Sequence, residues 1–360
     1  MERPAQLTSS AAIELRTLTD GGQTALEIAH EVAAFLEPAR RSLDIALYDV
    51  RLDGREGDAV RDAILGASER GVAVRLLYNL DHANPIPVPP PPETVPDLLE
   101  ALPVPTKPVS GIPDLMHHKY AIRDDEAVFT GSTNWTEDSW TRQENVIVRI
   151  ASPELAHAYS LDFDELWQRP DVERSGHVEP RPVRVDEIEI RPWFTPTYGE
   201  AVSHRIAKHL GRARRRIRIA SPVLSSGPIL ATLAEIAGEK RCDVAGVVDA
   251  TQVDEVFRQW HTNGVSAWKV PLLANVLEHA AFAGKRSTPW GPGTVHDFMH
   301  AKVVVADDVA FVGSFNLSRS GERNAENVLE VHDSDIAERL ARFVDAVRGI
   351  YPPMAVPILA

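Results

Sequence analysis

The sequence predicts an α/β protein made of two tandem copies of one unit of about 180 residues. The first observation is internal similarity: residues 115–146 and 298–328 align with a single-residue gap, and both contain H-x-K-x4-D, then G-S-x-N, then E-N-V. The second is that short apolar runs alternate with amphipathic runs in each half, as strands and helices do in layered α/β folds. The length of 360 residues fits two such units.

The two halves predict the same order of elements. Apolar runs of strand length and longer amphipathic runs predict, in chain order, a strand near 13–18, a helix near 24–39, a strand near 43–50, a helix near 57–70 and strands near 72–78, 119–122, 127–130 and 146–150. The second half predicts a strand near 187–191, a helix near 200–210, a strand near 217–221, a helix near 229–237, strands near 244–248 and 301–305 and a helix near 335–348.

A polar, proline-containing segment at 170–184 is the predicted linker between a first domain at 1–175 and a second at 185–360. Long segments at about 81–115 and 272–298 precede the two motif copies and are predicted to be irregular. They are either spacers, as the polyproline of the first suggests, or walls over a functional site, because long loops in compact domains are often functional. The sequence leaves both alternatives open.

Composition limits the class of protein. Apolar residues make up 44% of the chain and charged residues 25%, a balance that excludes wholesale disorder. The formal charge of −14 argues weakly against a non-specific duplex binder, and the single cysteine, Cys242, excludes an intrachain disulfide. Neither a signal peptide nor an apolar run of about 18 residues is found, so we expect a cytoplasmic protein that meets membranes, if at all, peripherally.

The repeated motif offers the groups that phosphoryl chemistry needs. In an extended strand alternate residues share a face, so His117 lies with Lys119, and His300 lies with Lys302. The glycine turn that follows returns a hydroxyl and an amide toward that face. An imidazole, a cation and neutral donors suit a phosphoryl group, and no Walker-type or dinucleotide-type glycine loop accompanies them.

These residues resemble the phospholipase D superfamily, whose hallmark is H-x-K-x4-D followed by G-S-x-N, present twice. The resemblance covers nearly the whole chain and implies two α/β lobes related by a pseudo-two-fold axis, with mixed sheets flanked by helices and one shared active site. It also implies phosphodiester cleavage through a covalent phosphohistidine, with no metal and no cofactor. The catalytic residues implied are His117, His300, Lys119, Lys302, Asn134, Asn316, Glu144 and Glu326.

The resemblance also implies individual roles. His117 is expected to attack phosphorus, and His300 to protonate the leaving oxygen and then activate water or an alcohol. The lysines and asparagines clamp the phosphoryl oxygens, supported by Ser132 and Ser314. Each imidazole needs a carboxylate on its far nitrogen to hold one tautomer, and Glu144 and Glu326 match in position the glutamate that orients the histidine. The motif aspartates, Asp124 and Asp307, are expected to fix the turn after the strand.

Several alternatives stand beside this interpretation. A metal site is an alternative for His117, His118, His296, Asp297 and His300, although no tight ligand spacing supports it, and His118 is expected on the opposite face from His117. For function, hydrolysis or transfer of phospholipids comes first. A nuclease using the same two histidines is the alternative, and a catalytically silent binding module is the third. No dimer is required, because both motifs lie in one chain.

Overall fold

The computed structural model describes residues 12–80, 97–100, 102–110, 113–289 and 293–357. The elements of the first half are β1 (Ile13–Leu18), α1 (Ala25–Leu36), β2 (Ser42–Leu47), β3 (Val50–Arg51), α2 (Gly54–Glu69), β4 (Ala73–Leu80), α3 (Asp97–Glu100), β5 (Thr106–Ser110), β6 (Lys119–Arg123), β7 (Ala127–Gly131), β8 (Trp135–Thr136), α4 (Glu137–Thr141), β9 (Asn145–Ala151) and α5 (Pro153–Gln168).

The second half repeats this order. Its elements are β10 (Val183–Val185), β11 (Ile188–Phe194), α6 (Gly199–Arg212), β12 (Arg216–Ser221), α7 (Gly227–Glu239), β13 (Asp243–Asp249), α8 (Ala250–Asn263), α9 (Val270–His279), β14 (Ala281–Lys285), β15 (Val303–Ala306), β16 (Val309–Gly313), α10 (Arg319–Arg323), β17 (Asn327–His332) and α11 (Ser334–Arg348). Within the described ranges, no helix combines the length and the apolar character needed to cross a bilayer.

Two mixed sheets confirm the predicted α/β class and its duplication. The first has the strand order β1-β9-β7-β6-β2-β4-β5, and the second has β10-β11-β17-β16-β15-β12-β13-β14. The two orders are equivalent once β10 is set aside. In both sheets the three strands at one end are parallel and the remaining pairs are antiparallel. The parallel strands therefore end on the same side of each sheet, beside the motif strands.

The hydrophobic core joins the two halves. One buried cluster combines Tyr159 and Phe163 of α5, Phe194 of β11, and Leu340 and Val344 of α11. Two further clusters lie on the outer faces, one under α1 and α2 and the other under α6 and α7. Burying a large apolar side chain contributes about 1.5–3 kcal/mol, so the shared cluster holds the two lobes in one fixed arrangement.

The structure differs from the predicted elements in several places. The segment 272–298, predicted to be irregular, begins inside α9 and contains β14, because its apolar residues pack as a further α–β step beside β13. Helices α5 and α8, strands β5, β16 and β17 and the short elements β3, β8, α3, α4 and α10 were not predicted. The predicted linker holds a short 3-10 helix, Val172–Arg174, and the start of β10. Residues 81–96 of the first long segment lie outside the described residues.

Candidate functional site

A cavity of about 230 Å³ lies between the two lobes, and the histidine and the asparagine of each motif copy line it. It is lined by Tyr48, Asp49, Arg51, His117, Asn134, Thr136, Gln143, Pro222, Gln252, His296, Phe298, His300 and Asn316. The two histidines immediately precede the motif strands β6 and β15, so the equivalent strand starts of the two lobes deliver them to one cavity.

The two lobes exchange backbone contacts at this cavity. Met116 forms a parallel bridge with Ala325, and its counterpart Met299 forms one with Glu144, one residue away from the equivalent register. Each bridge sets the glutamate segment of one lobe beside the histidine segment of the other. The glutamates therefore approach the histidine of the opposite copy, a crossing that the sequence did not reveal.

His117 is oriented by the second lobe. Its Nδ1 lies 2.7 Å from the Glu326 carboxylate, and its backbone N–H donates to the carbonyl of Ala325 at 2.8 Å. Asn324 donates to the other oxygen of Glu326 at 3.2 Å, and Glu326 is fully buried. Burial, only partly offset by Lys119 and by hydrogen bonds from Ser314 and Asn324, raises the pKa of Glu326 to about 7.

His300 has a different partner. Its Nδ1 lies 3.1 Å from the side-chain oxygen of Asn145. The Asn145 amide nitrogen donates to the carbonyl of Ser139 at 3.0 Å, and the Ser132 hydroxyl donates to the Asn145 oxygen at 2.7 Å. This network fixes the amide with its oxygen toward His300, so His300 Nδ1 is the donor in that contact.

Glu144 does not contact His300, contrary to the expectation that both glutamates orient a histidine. Its carboxylate receives hydrogen bonds from Lys285 Nζ at 3.1 and 3.3 Å and from the Tyr351 hydroxyl. Lys285 is at the end of β14, in the segment that was predicted to be irregular. Glu144 and Lys285 are both buried, so the two opposite charges compensate each other away from the histidine.

The motif lysines are buried behind the histidines that line the cavity. Lys119 Nζ donates to the carbonyl of His117 at 2.7 Å, and Lys302 Nζ donates to that of His300 at 2.5 Å. Burial lowers the pKa of Lys119 to about 7, although Glu326 and Asp49 oppose the change. Burial and the charge of Lys119 hold the pKa of Lys302 well below its ordinary value. A phosphoryl anion bound nearby would favour the charged form of both lysines.

Burial also lowers the pKa of both motif histidines. It lowers the pKa of His117 well below its ordinary value, with the charges of Lys119 and Lys302 acting in the same direction. Burial, and after it the charges of Lys302 and Lys119, also lower the pKa of His300 well below its ordinary value. Both histidines are therefore neutral at pH 7, and an anion bound in the cavity would favour their protonation.

The asparagines and serines of the motif have separate positions. Asn134 and Asn316 line the cavity, and within the described chain the side-chain oxygen of each is buried without a hydrogen-bond partner. Ser132 and Ser314 lie deeper and are fully buried. Their hydroxyls accept from the backbone of Val146 at 2.9 Å and of Asn327 at 3.0 Å, so they brace the strands that carry Asn145 and Glu326.

The motif aspartates are remote from the cavity. Asp124 accepts from the backbone N–H groups of 40–42, and Asp307 accepts from those of 214–216, at 2.6–3.1 Å. Both have a left-handed φ, of 58° and 53°, in the turn after the strand. Burial opposes ionisation, but these hydrogen bonds prevail and lower the pKa of both. The two aspartates join the strand turn to the start of β2 and β12.

The second long segment contributes a wall of the cavity. The rings of His296 and Phe298 stack with centroids 5.7 Å apart, and both line the cavity. Gln143 donates to the carbonyl of His296 at 2.8 Å, and Asp138 accepts from its backbone N–H at 3.0 Å. The first lobe thus holds this part of the segment in place. Of the two alternatives for the segment 272–298, a spacer or a wall of the site, these residues match the wall.

His117, His296 and His300 all line the cavity, but among the described residues their ring nitrogens do not form a close group of three metal ligands. His118 faces away from it, with Nε2 3.1 Å from Asp162. Across the described ranges, the one group of three that brings its ligand atoms within 4.8 Å is His209, Glu330 and His332. Arg205 donates to the Glu330 carboxylate at 2.6 Å and Trp193 at 3.0 Å, so that carboxylate is already engaged by a cation and an indole.

Comparison with known proteins agrees with this geometry. Residues 32–167 and 206–347 match the family described as "Cardiolipin synthase, PLD-like domain". The mitochondrial cardiolipin hydrolase of Homo sapiens is 26% identical over 187 residues, which cover 46% of this chain and 65% of that protein. The protein of the same name from Chlamydomonas reinhardtii is 26% identical over 140 residues, 37% of this chain and 54% of that one.

A shorter and closer match is the mitochondrial cardiolipin hydrolase of Xenopus tropicalis, 40% identical over 57 residues, 16% of this chain and 27% of that protein. The alignments thus span from about a quarter to about two thirds of these relatives.

Two solved structures share the fold across most of this chain. The phosphatidylserine synthase of Haemophilus influenzae superposes with a TM-score of 0.65 at 13% identity, covering 95% of this chain and 87% of that one. The polyphosphate kinase of Porphyromonas gingivalis superposes with a TM-score of 0.55 at 12% identity, covering 92% and 50%. Because the family match covers most of the chain in two copies, the protein belongs to the cardiolipin synthase-type, PLD-like domain family.

Proposed function

We propose that this chain is a metal-independent phosphodiesterase of phospholipase D type that hydrolyses phospholipids through a covalent phosphohistidine on His117. The observation that carries the proposal is the 2.7 Å contact between His117 Nδ1 and the Glu326 carboxylate, in a cavity that His300 also lines. A carboxylate acceptor keeps the proton on Nδ1, so the lone pair on Nε2 is left for phosphorus. The same carboxylate stabilises the positive charge that the imidazole gains when it is phosphorylated.

His300 has the properties of the partner acid and base. Its Nδ1 donates to an amide oxygen, which stabilises an imidazolium less than a carboxylate does. Once the substrate anion has favoured its protonation, His300 gives the proton readily to a leaving alkoxide. The two imidazoles are thus suited to different steps of one reaction.

The proposed reaction has two displacements at phosphorus. In the first, His117 Nε2 forms a bond to phosphorus while the bond to the head-group oxygen breaks, and His300 protonates that oxygen, releasing the alcohol. In the second, neutral His300 takes a proton from water, the oxygen bonds to phosphorus and the N–P bond breaks, returning His117 and leaving phosphatidate. An alcohol in place of water gives transfer of the phosphatidyl group. Lys119, Lys302, Asn134 and Asn316 stabilise the charge on the non-bridging oxygens.

Phospholipids are the proposed substrate class because curated relatives bear the name cardiolipin hydrolase and the matching family that of cardiolipin synthase. We propose cardiolipin and phosphatidylglycerol as the first lipids to test. The protein is proposed to meet the membrane surface peripherally from the cytoplasm. Both histidines come from one chain, so the proposed reaction needs no second copy.

The test offers purified protein, in excess EDTA, vesicles of cardiolipin, phosphatidylglycerol or phosphatidylcholine and, separately, labelled single-stranded DNA. His117→Ala and His300→Ala are measured beside His157→Ala, which makes the same change at an exposed histidine of α5. We expect head-group release by the wild type and by His157→Ala and a loss of at least about 10³-fold in both cavity variants. Mass spectrometry of quenched reactions is expected to find the phosphatidyl adduct on His117.

Each other outcome corrects a different part of the proposal. Cleavage of DNA alone keeps the mechanism and replaces the substrate with nucleic acid. An adduct on His300 exchanges the two roles. Activity that EDTA removes, or that survives both substitutions, refutes the two-histidine mechanism.

A further inference from the structure

The two lobes differ at the end of one edge strand. In the second sheet Asp249 of β13 pairs with Lys285 of β14, and in the first sheet its counterpart Asn79 of β4 pairs with Val109 of β5. Asp249 and Asn79 are equivalent because each accepts a hydrogen bond from the backbone N–H of the methionine before the motif, at 3.0 and 2.9 Å. One lobe therefore has a buried cation, Lys285, at a position where the other has a buried valine.

Lys285 is surrounded by acceptors from both lobes. Its Nζ contacts both oxygens of Glu144 at 3.1 and 3.3 Å, the carbonyl of Arg142 at 2.8 Å and the carboxylate of Asp20 at 3.2 Å. The Tyr351 hydroxyl donates to Glu144 as well. Burial raises the pKa of Glu144, and Lys285 opposes that change, so the charged pair is mutually dependent.

Glu144 is the counterpart of Glu326, the residue that orients His117. Met116 bridges Ala325, the residue before Glu326, whereas its counterpart Met299 bridges Glu144 itself, so the two crossings differ by one residue in register. Alternate residues of an extended chain face opposite ways, so this register places Glu326 on the side of His117 but places Asn145, and not Glu144, on the side of His300. Lys285 is the cation toward which that side chain is turned.

We propose that Lys285 is a positioning residue that holds Glu144 away from His300, so that His300 keeps the Asn145 amide as its partner and the two histidines stay chemically different. Releasing Glu144 would leave a buried cation with an incomplete set of partners, which makes the arrangement persistent. The charged and titratable groups facing His300 are Lys302, Lys119 and His117, and those facing Lys285 include Asp20, Asp249 and Glu144. The consequence for catalysis rests on the proposed function, whereas the consequence for hydrogen bonding does not.

The test is NMR of the histidine ring protons in ¹⁵N-labelled protein without substrate. A hydrogen bond to a carboxylate is shorter and stronger than one to an amide, and it moves the Nδ1 proton downfield. Lys285→Met is expected to move the His300 Nδ1 proton downfield toward the position of the His117 proton, which serves as an internal reference. Lys285→Arg, which keeps the cation, is expected to leave it in place. In single-turnover assays, Lys285→Met is expected to slow formation of the adduct about tenfold with KM changed less than about twofold.

An unmoved His300 signal in a Lys285→Met protein whose His117 signal is native overturns the proposal. If that variant does not fold, Lys285→Gln, which removes the cation but keeps a polar side chain, is expected to give a smaller shift in the same direction. No shift in Lys285→Gln then overturns the proposal equally. A protein that cleaves no phospholipid but shows the Lys285→Met shift refutes the proposed function and leaves the positioning role intact.

Discussion

The two halves of the cavity have the same motif residues and surround their histidines differently. His117 has a buried carboxylate on Nδ1, and His300 has an amide oxygen there, while the glutamate equivalent to Glu326 is bound to Lys285. Each histidine segment is bridged to the glutamate segment of the other lobe, with the two bridges one residue apart in register. The proposed origin of the chemical difference is Lys285, a residue outside the motif.

The two copies of a duplicated site can carry out different chemical tasks when their histidines have different hydrogen-bond partners. A nucleophile and an acid need opposite properties, because the first must bear positive charge after attack and the second must give up a proton. Two identical environments would make both histidines equally suited to both tasks. A change of hydrogen-bond partner separates them without any change in the motif.

The largest effect on kcat is expected from removing the carboxylate that distinguishes His117 from His300. Glu326→Gln removes the carboxylate from His117 and is expected to lower kcat about 10³-fold, because the imidazole loses both its tautomer and its charge partner. Glu144→Gln, the matched change in the other lobe, is expected to lower kcat less than about tenfold, because Glu144 does not contact His300. Steady-state kinetics on phospholipid vesicles in EDTA checks both. Equal losses in the two variants would contradict the asymmetry.

The second prediction uses the two lysines. Glu326 has a pKa of about 7 and must be ionised to orient His117, so kcat/KM is expected to fall as the pH drops below about 7. Lys119 also has a pKa of about 7 and loses its charge as the pH rises, so kcat/KM is expected to fall above about pH 7 as well. The bound phosphodiester anion stabilises the ammonium form, so this alkaline limb is expected at higher pH in kcat.

Lys119→Met is expected to lower kcat/KM about 10²-fold and to abolish this limb, whereas Lys302→Met is expected to keep it. The check is a pH profile of kcat and kcat/KM between pH 5 and 9. A limb that persists in Lys119→Met would assign it to another group.

Sequence reasoning predicted the motif residues and missed the residues that make the two copies different. The strands around His117 and His300 were predictable because the duplication and the apolar runs are local features. Asn145 follows Glu144 in the shared E-N-V and was overlooked, although the same repeat pattern contains it. Lys285 has no motif, and its contact with Glu144 joins residues 141 apart in the chain, so only the packed structure brings the two together.

The third prediction concerns stability. Asp124→Ala removes the acceptor of three consecutive backbone N–H groups and is expected to lower the free energy of unfolding by about 2 kcal/mol. Asp307→Ala is expected to cost less, because the Asp307 side chain is 25% exposed and water replaces part of the lost bonding. Denaturant unfolding at pH 7 measures both.

The pKa of each aspartate is lowered in the folded chain. The stabilisation is therefore complete above the ordinary aspartate pKa and is lost as the pH falls through the lowered value. The difference between wild type and variant should shrink in acid. A constant difference across pH would show that the carboxylate charge is not its source.

The smallest effects on kcat are expected from the two motif serines, each of which supports the hydrogen-bond partner of one histidine. Ser314 braces Glu326, and Ser132 donates to the oxygen of Asn145 that His300 contacts. Replacing either by Ala is expected to lower kcat about threefold to tenfold, because the oriented partner is kept and only its support is lost. Ser314→Ala acts on the nucleophile and is expected to slow adduct formation more than adduct hydrolysis. Ser132→Ala acts on His300, which works in both displacements, so both steps should slow by similar factors in single-turnover measurements. If Ser132→Ala slowed only one step, His300 would serve as acid or as base but not as both.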